Sequence, residues 1–178
     1  LTGCQLGEDE SARATEYMKL IGDYERIADH AVNILESAEE LRDKELRFSA
    51  PAEAEYRKLR AAVEEILTLS YLAFSQKDTA AARQTEPLEQ VIDDLKETLR
   101  TRHILRLQRG ECSAAAGFVW SDLLTDLERV ADHCSNISGC VLDTAEHNMN
   151  IHENQRTLRG SSEGYRQAYA AFRQKYSA

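Results

Sequence analysis

Four acidic residues stand in pairs at a spacing that puts two carboxylates on one helical face, Glu25 with Asp29 and Glu128 with Asp132. Positions i and i+4 of a helix hold their Cβ atoms about 5–6 Å apart. At that reach carboxylate oxygens can bridge hard or borderline cations such as Mg²⁺, Ca²⁺, Mn²⁺ or iron. Without a cation the like charges repel and slightly weaken the helix. One helix supplies too few ligands, so a metal site needs a second acidic helix alongside. Glu89 and Asp93 repeat the ExxxD spacing, and an antiparallel hairpin would bring them to face Glu128 and Asp132. Glu25 and Asp29 have no comparable partner in the sequence; theirs would lie upstream of Leu1 or on another subunit.

The two pairs belong to a longer repeat. Ile21–Ile34 and Leu124–Ile137 align without a gap and share Asp, Glu, Arg, Ala, Asp, His, Asn and Ile at matching positions. Unrelated helical segments rarely agree so far, so an internal duplication is the first architectural fact of the chain. Stepping about 100° per residue from Glu128 places Asp132 near 40° and Asn136 near 80°. The stripe therefore lies almost opposite Leu123, Leu127, Val130, Cys134 and Val141. Glu25, Asp29 and Asn33 form the same stripe opposite Leu20, Tyr24, Ile27 and Ala31. These carboxylates are expected to face solvent or a groove. Arg26 and Arg129 offer a plainer use for the motif, because each can pair at i±3 with the flanking aspartates, Asp23 and Asp29 or Asp126 and Asp132, on a solvated face. His30 and His133 fall between the acidic and apolar stripes, where a hydrogen-bonded packing role is expected.

Steps of three and four between apolar residues predict long amphipathic helices. The first runs from about Glu8 to Phe48. Ser49 is expected to cap a second helix over Ala52–Gln76, with Pro51 in its first turn. Asp78 caps a third over Thr79–Arg109, which Pro87 either kinks or divides. Gly110 stops it, and Cys112–Asn148 is the counterpart of the first helix. Asn148–Gly164 reads as a loop with partial helix, and Tyr165–Tyr176 as a short closing helix. No segment alternates, so the fold class is all-α, a bundle of long antiparallel helices.

The bulk composition narrows the function. A net charge of −9 over 178 residues excludes a nucleic-acid surface, which would be basic. Four cysteines without CxxC spacing read as reduced, with Cys134 packed as a small hydrophobe. No apolar run approaches the ~20 residues of a membrane span. There is no phosphate-cradling glycine loop, nucleophile elbow or Glu-x-x-His di-iron signature, and no enzyme activity is expected. The sequence opens on Leu1, which is expected to mark a piece of something longer.

E-R-I-A-D-H-A-V-N-I and E-R-V-A-D-H-C-S-N-I resemble the signature helices of PhoU proteins, and the resemblance covers most of Thr15–Asn148. It implies a PhoU-like bundle of three-helix repeats. Residues 1–48 would be the last helix of a truncated first repeat, 49–148 a complete second repeat, and 149–178 a C-terminal extension. It further implies a non-enzymatic regulator of phosphate uptake binding iron, manganese or magnesium, in a multinuclear arrangement. The ligands carried over are Glu25, Asp29, Glu128 and Asp132, then Glu89 and Asp93, with Asn33, Asn136, Arg26 and Arg129 in support. The ending Y-R-Q-A-Y-A-A-F-R-Q-K-Y is similar to PhoU-like domains attached to sodium/phosphate cotransporters. That implies a cytoplasmic domain tethered to the inner membrane by a transporter region upstream of Leu1. Phosphate itself is a further implied partner, and the uncovered side of the first helix implies self-association. The alternatives are a free-standing PhoU-type regulator and a metal-free helical assembly module.

Overall fold

A computed structural model describes residues 8–147 and 154–177. Five helices follow one another: α1 (Glu8–Asp43), α2 (Ala50–Gln76), α3 (Thr79–Gln108), α4 (Ala114–His147) and α5 (Asn154–Tyr176). No strand occurs among the described residues, and the expected all-α class holds. Residues 1–7 and 148–153, the latter within the expected loop, lie outside the described residues.

Helix ends follow the chemistry of single residues. The Ser49 hydroxyl accepts from the Ala52 amide with Pro51 in the first turn of α2, and the Asp78 carboxylate accepts from the amides of Ala80 and Ala81 to open α3. Gly110, at φ +68°, ends the α3 hairpin arm: its amide bonds Leu107 O and the next amide, Glu111, bonds Arg106 O. α1 stops by the same device five residues earlier than expected. Glu45 takes φ +51°, with Glu45 N bonded to Arg42 O and Leu46 N to Leu41 O. No glycine marks this stop, so periodicity alone carried the helix on to Phe48. α3 runs unbroken through Pro87, which is fully buried. α5 begins eleven residues before the expected Tyr165; Gly160 and Gly164 cost a helix only about 1 kcal/mol each, too little to end one that is anchored further on.

α4 is the centre. Trp120, Leu124, Leu127, Val130, Ala131 and Cys134 are at most 4% exposed and pack against Leu59, Val63 and Ile66 of α2 and Leu88, Ile92, Leu95 and Leu99 of α3. Burial pushes the Cys134 thiol up to about 12, so it packs as the small hydrophobe expected. At the α3–α4 turn, Glu55 of α2 accepts from Arg102 of α3 at 3.1 Å and forms an ion pair with Arg106 at 2.8 Å, and Arg106 lies over Trp120. Gly117 admits this knot, because a Cβ there would sit 2.8 Å from His103 Nε2. α5 lies along α3, burying Tyr176 and packing Tyr169 and Phe172 on the core. Its end is tied by Lys175 and Tyr176 to Glu65 and by Lys58 to the Ser177 carbonyl.

α1 packs along α4 through part of its expected apolar stripe, joined there by a polar residue. Leu20 and Asp23 are buried, and Ile27 and Ile34 are partly so, whereas Tyr17, Ile21 and Leu35 are more than half exposed. The α4 counterparts of those three, Trp120, Leu124 and Ser138, are at most 2% exposed. The repeat thus presents one face to two environments, covered by α2 and α3 on α4 and uncovered on α1.

The strained stop of α1 yields a stability test. Glu45→Gly removes a Cβ from a left-handed residue while keeping both closing hydrogen bonds, and should raise the unfolding free energy in urea by about 0.5–1 kcal/mol. A neutral or lower midpoint would show that Glu45 is not strained there.

Candidate functional site

The repeated motif builds two sites from different residues. The first joins α1 to α4. His30 Nδ1 lies 2.7 Å from Asp126 Oδ1, and His133 Nδ1 lies 2.9 Å from Asp23 Oδ1. With the ring proton on Nδ1, each imidazole donates to the carboxylate of the other copy. The two rings stack at 5.8 Å with planes 25° apart, and Asn33 Nδ2 adds a second donor to Asp126 Oδ1 at 3.1 Å. A seven-residue advance on one helix is matched by a seven-residue retreat on the other, so α1 and α4 run antiparallel about a local two-fold axis.

This clasp gives the flanking aspartates a use other than pairing with their own helix's arginine. Asp23 and Asp126, which the plainer use of the motif would pair with arginines of their own helices, are 9% and 8% exposed and bond to histidines across the interface. Arg26 remains exposed, and only Arg129 makes the expected i+3 pair, to Asp132 at 2.9 Å. Asn33, which the resemblance offers as support for metal ligands, donates to Asp126 of the clasp. The histidines take the hydrogen-bonded packing role expected of them. The pairing had one legible signal: Asp and His seven residues apart share a helix face, and both copies have the spacing.

The second site is the acidic stripe between α3 and α4. Glu89, Asp93, Glu128 and Asp132 come together as the antiparallel hairpin requires. Burial first, then the charges of Asp132, Asp93, Glu128 and Glu86, push the Glu89 carboxyl up to about 7. Beyond Glu89 the stripe opens into a cleft of about 840 Å³ walled by α3, α4 and the middle of α5, with Arg83, Glu86, Asn136 and Tyr165 at its lining. Of the two expected settings, solvent or a groove, Glu128 takes the groove. It is 8% exposed, and Lys96 Nζ sits 3.2 Å from its Oε2, also 3.7 Å from Asp93 and 3.9 Å from Glu97. Lys96 was not among the residues singled out from the sequence; a lone basic residue three positions after Asp93 on an acidic face was its only sign.

Glu25 and Asp29 are exposed on α1, apart from this cluster. The implied metal can now be weighed against these side chains. The donor atoms are of the right kind, hard carboxylate oxygens. Their positive charge, however, already comes from Lys96 and from Arg129, which reaches Asp132 and lies 3.8 Å from Glu128. Among the described residues no three His, Cys, Asp or Glu side chains are placed to hold a metal ion together. As arranged, the stripe does not fit a resident metal.

A helical bundle whose duplicated helix pairs with its own copy, each copy bearing an ERxAD acidic stripe, defines a narrow class. The PhoU domain family matches residues 4–38 and 56–141, more than half of the chain, and the chain belongs to that family. The matched segments fall on α1 and on α2–α4, leaving α5 outside. A curated relative from Thermotoga maritima, the phosphate-specific transport system accessory protein PhoU homolog 1, is 28% identical over 147 residues. That alignment covers 83% of this chain and 62% of the relative, so the chain spans less than two thirds of the relative's length. No solved structure gives a significant match. No helix among the described residues is long and apolar enough to cross a membrane.

Both sites predict measurable energetics. Asp126→Ala leaves His30 and Asn33 without their acceptor and should cost about 1.5–3 kcal/mol, against less than about 0.5 for the exposed Asp29→Ala; urea unfolding compares them, and equal costs would dismiss the clasp. For Glu89 the folded carboxyl titrates above its ordinary 4.5. Its protonated form therefore contributes stability below about 4.5 that is lost as pH rises through about 7. Glu89→Gln should match wild type at acid pH and exceed it above pH 7 by about 1 kcal/mol, after discounting for a half-exposed group. Parallel stability profiles from pH 4 to 8 would show that the carboxylates do not crowd Glu89.

Proposed function

We propose that this chain regulates phosphate uptake without catalysing a reaction, as a PhoU-type accessory domain on the cytoplasmic side of the inner membrane. In the finer reading it belongs to a sodium-dependent phosphate transporter. Membership of the PhoU family, through both copies of the repeated helix, carries the proposal. The geometry suits an adaptor. α4 is committed to the core, while α1 leaves an apolar face and its own acidic stripe, Glu25 and Asp29, uncovered. The C-terminal extension supports the cotransporter reading through its resemblance. The printed name of the Thermotoga relative favours a second reading, an accessory protein of a phosphate-specific transport system.

Uptake of radiolabelled phosphate in cells with and without the gene tests the proposal. The gene's loss should leave uptake high when phosphate is plentiful, and Asp126→Ala should complement poorly. If uptake and its shutdown are unchanged by deletion, the regulatory role fails. Sodium separates the readings: replacing it with potassium should abolish the regulated component if the partner is a sodium cotransporter, and spare it if not.

A further inference from the structure

We propose that Lys96 is the built-in cation of the α3–α4 acidic stripe, and that it keeps divalent metal out of this stripe. The inference concerns the stripe alone and does not depend on the role in phosphate uptake. A lysine near a protein surface ordinarily runs its stem along apolar groups and leaves the ammonium in water. The Lys96 side chain is only 19% exposed, and its ammonium turns inward to Glu128 Oε2 at 3.2 Å, with Asp93 at 3.7 Å. Glu128, with 11% of its side chain exposed, is a carboxylate removed from water and must have a positive partner. The ammonium therefore links a carboxylate of α3 to one of α4, the cross-helix connection a bridging metal would make.

The two uses exclude each other. A metal bound at Glu128 Oε2 would have to occupy space that Nζ holds and would meet its positive charge. Arg129 reinforces the exclusion from the other end of the stripe through Asp132. The chain contains its own comparison: Glu25 and Asp29 carry the same motif on α1, and among the described residues neither has an ion pair with a lysine or arginine. The copy that is covered has a tethered cation, and the copy that is exposed does not.

Mn²⁺ titrated into the full chain, followed by calorimetry and by thermal melting, tests the inference. Wild type should show only weak binding, of the order of that at the exposed Glu25/Asp29 pair and unchanged by Glu128→Gln. Lys96→Met should bind Mn²⁺ at least about tenfold more tightly, because Glu128 and Asp93 then lack their nearest cation. Its melting temperature should fall without metal and recover with Mn²⁺. Lys96→Gln, whose polar end suits a half-buried position better, should show the same gain. Lys96→Arg should show none, and Lys96→Met combined with Glu128→Gln should lose it. Tight Mn²⁺ binding by wild type that Glu128→Gln removes would overturn the inference. So would Lys96→Met and Lys96→Gln binding no more tightly than wild type, or failing to fold even with Mn²⁺.

Discussion

The structure depends on a reciprocal exchange between two copies of one helix. Asp23, His30, Asp126 and His133 are polar groups taken largely out of water, and each finds its partner only on the other helix. A buried group left unpaired costs about 1–3 kcal/mol, so sliding α1 by one turn along α4 would forfeit both pairs together. A purely apolar interface tolerates such slips far better. The clasp therefore sets register and antiparallel direction more than it adds net stability, which is the better-attested role of buried polar pairs. α1 has particular need of it, since it packs along α4 and leaves much of its apolar surface open.

From that register the other elements follow. Once α1 takes one side of α4, the remaining apolar faces of α4 are left to the α2–α3 pair, and Glu55 with Arg102 and Arg106 fastens the pair at the α3–α4 turn. The same packing lays the acidic faces of α3 and α4 against each other. Burial there raises the cost of every uncompensated carboxylate, and the chain answers it in two ways: Lys96 and Arg129 bring positive charge, and Glu89 holds its proton up to about 7. α5 then covers the outer side of α3, using tyrosines whose hydroxyls reach Asp94 and Glu65.

What the sequence disclosed was mostly local. Ser49, Asp78 and Gly110 mark helix ends because their side chains, or the lack of one, act on the nearest few peptide groups. The repeat and its ERxAD pattern disclosed the family. The α3 hairpin was legible because Gly110 forces a turn between two acidic helices, bringing Glu89 and Asp93 to Glu128 and Asp132. The end of α1 was not legible, since a left-handed glutamate has no signature. The partners of Asp23 and Asp126 were not legible for a related reason: a neighbouring arginine is visible in the sequence, while a histidine about a hundred residues away is not. Leu20 and Ile27 lie on the α4 side of α1 as periodicity asks, but periodicity does not show that an aspartate and a histidine share that face.

In the clasp the same surface serves both sides, each aspartate meeting the other copy's histidine, which is the isologous contact of a two-fold symmetric dimer. Here both halves lie on one polypeptide, so they meet at an effective concentration set by the intervening helices and not by how many molecules a cell contains. The contact persists at any dilution. Symmetry is also no longer enforced. In a dimer of identical chains every substitution appears on both sides of the axis, whereas here each half can change alone. The unequal surroundings of Glu25 and Glu128 are what that independence permits: one acidic stripe enclosed and neutralised from within, its twin left open to whatever approaches.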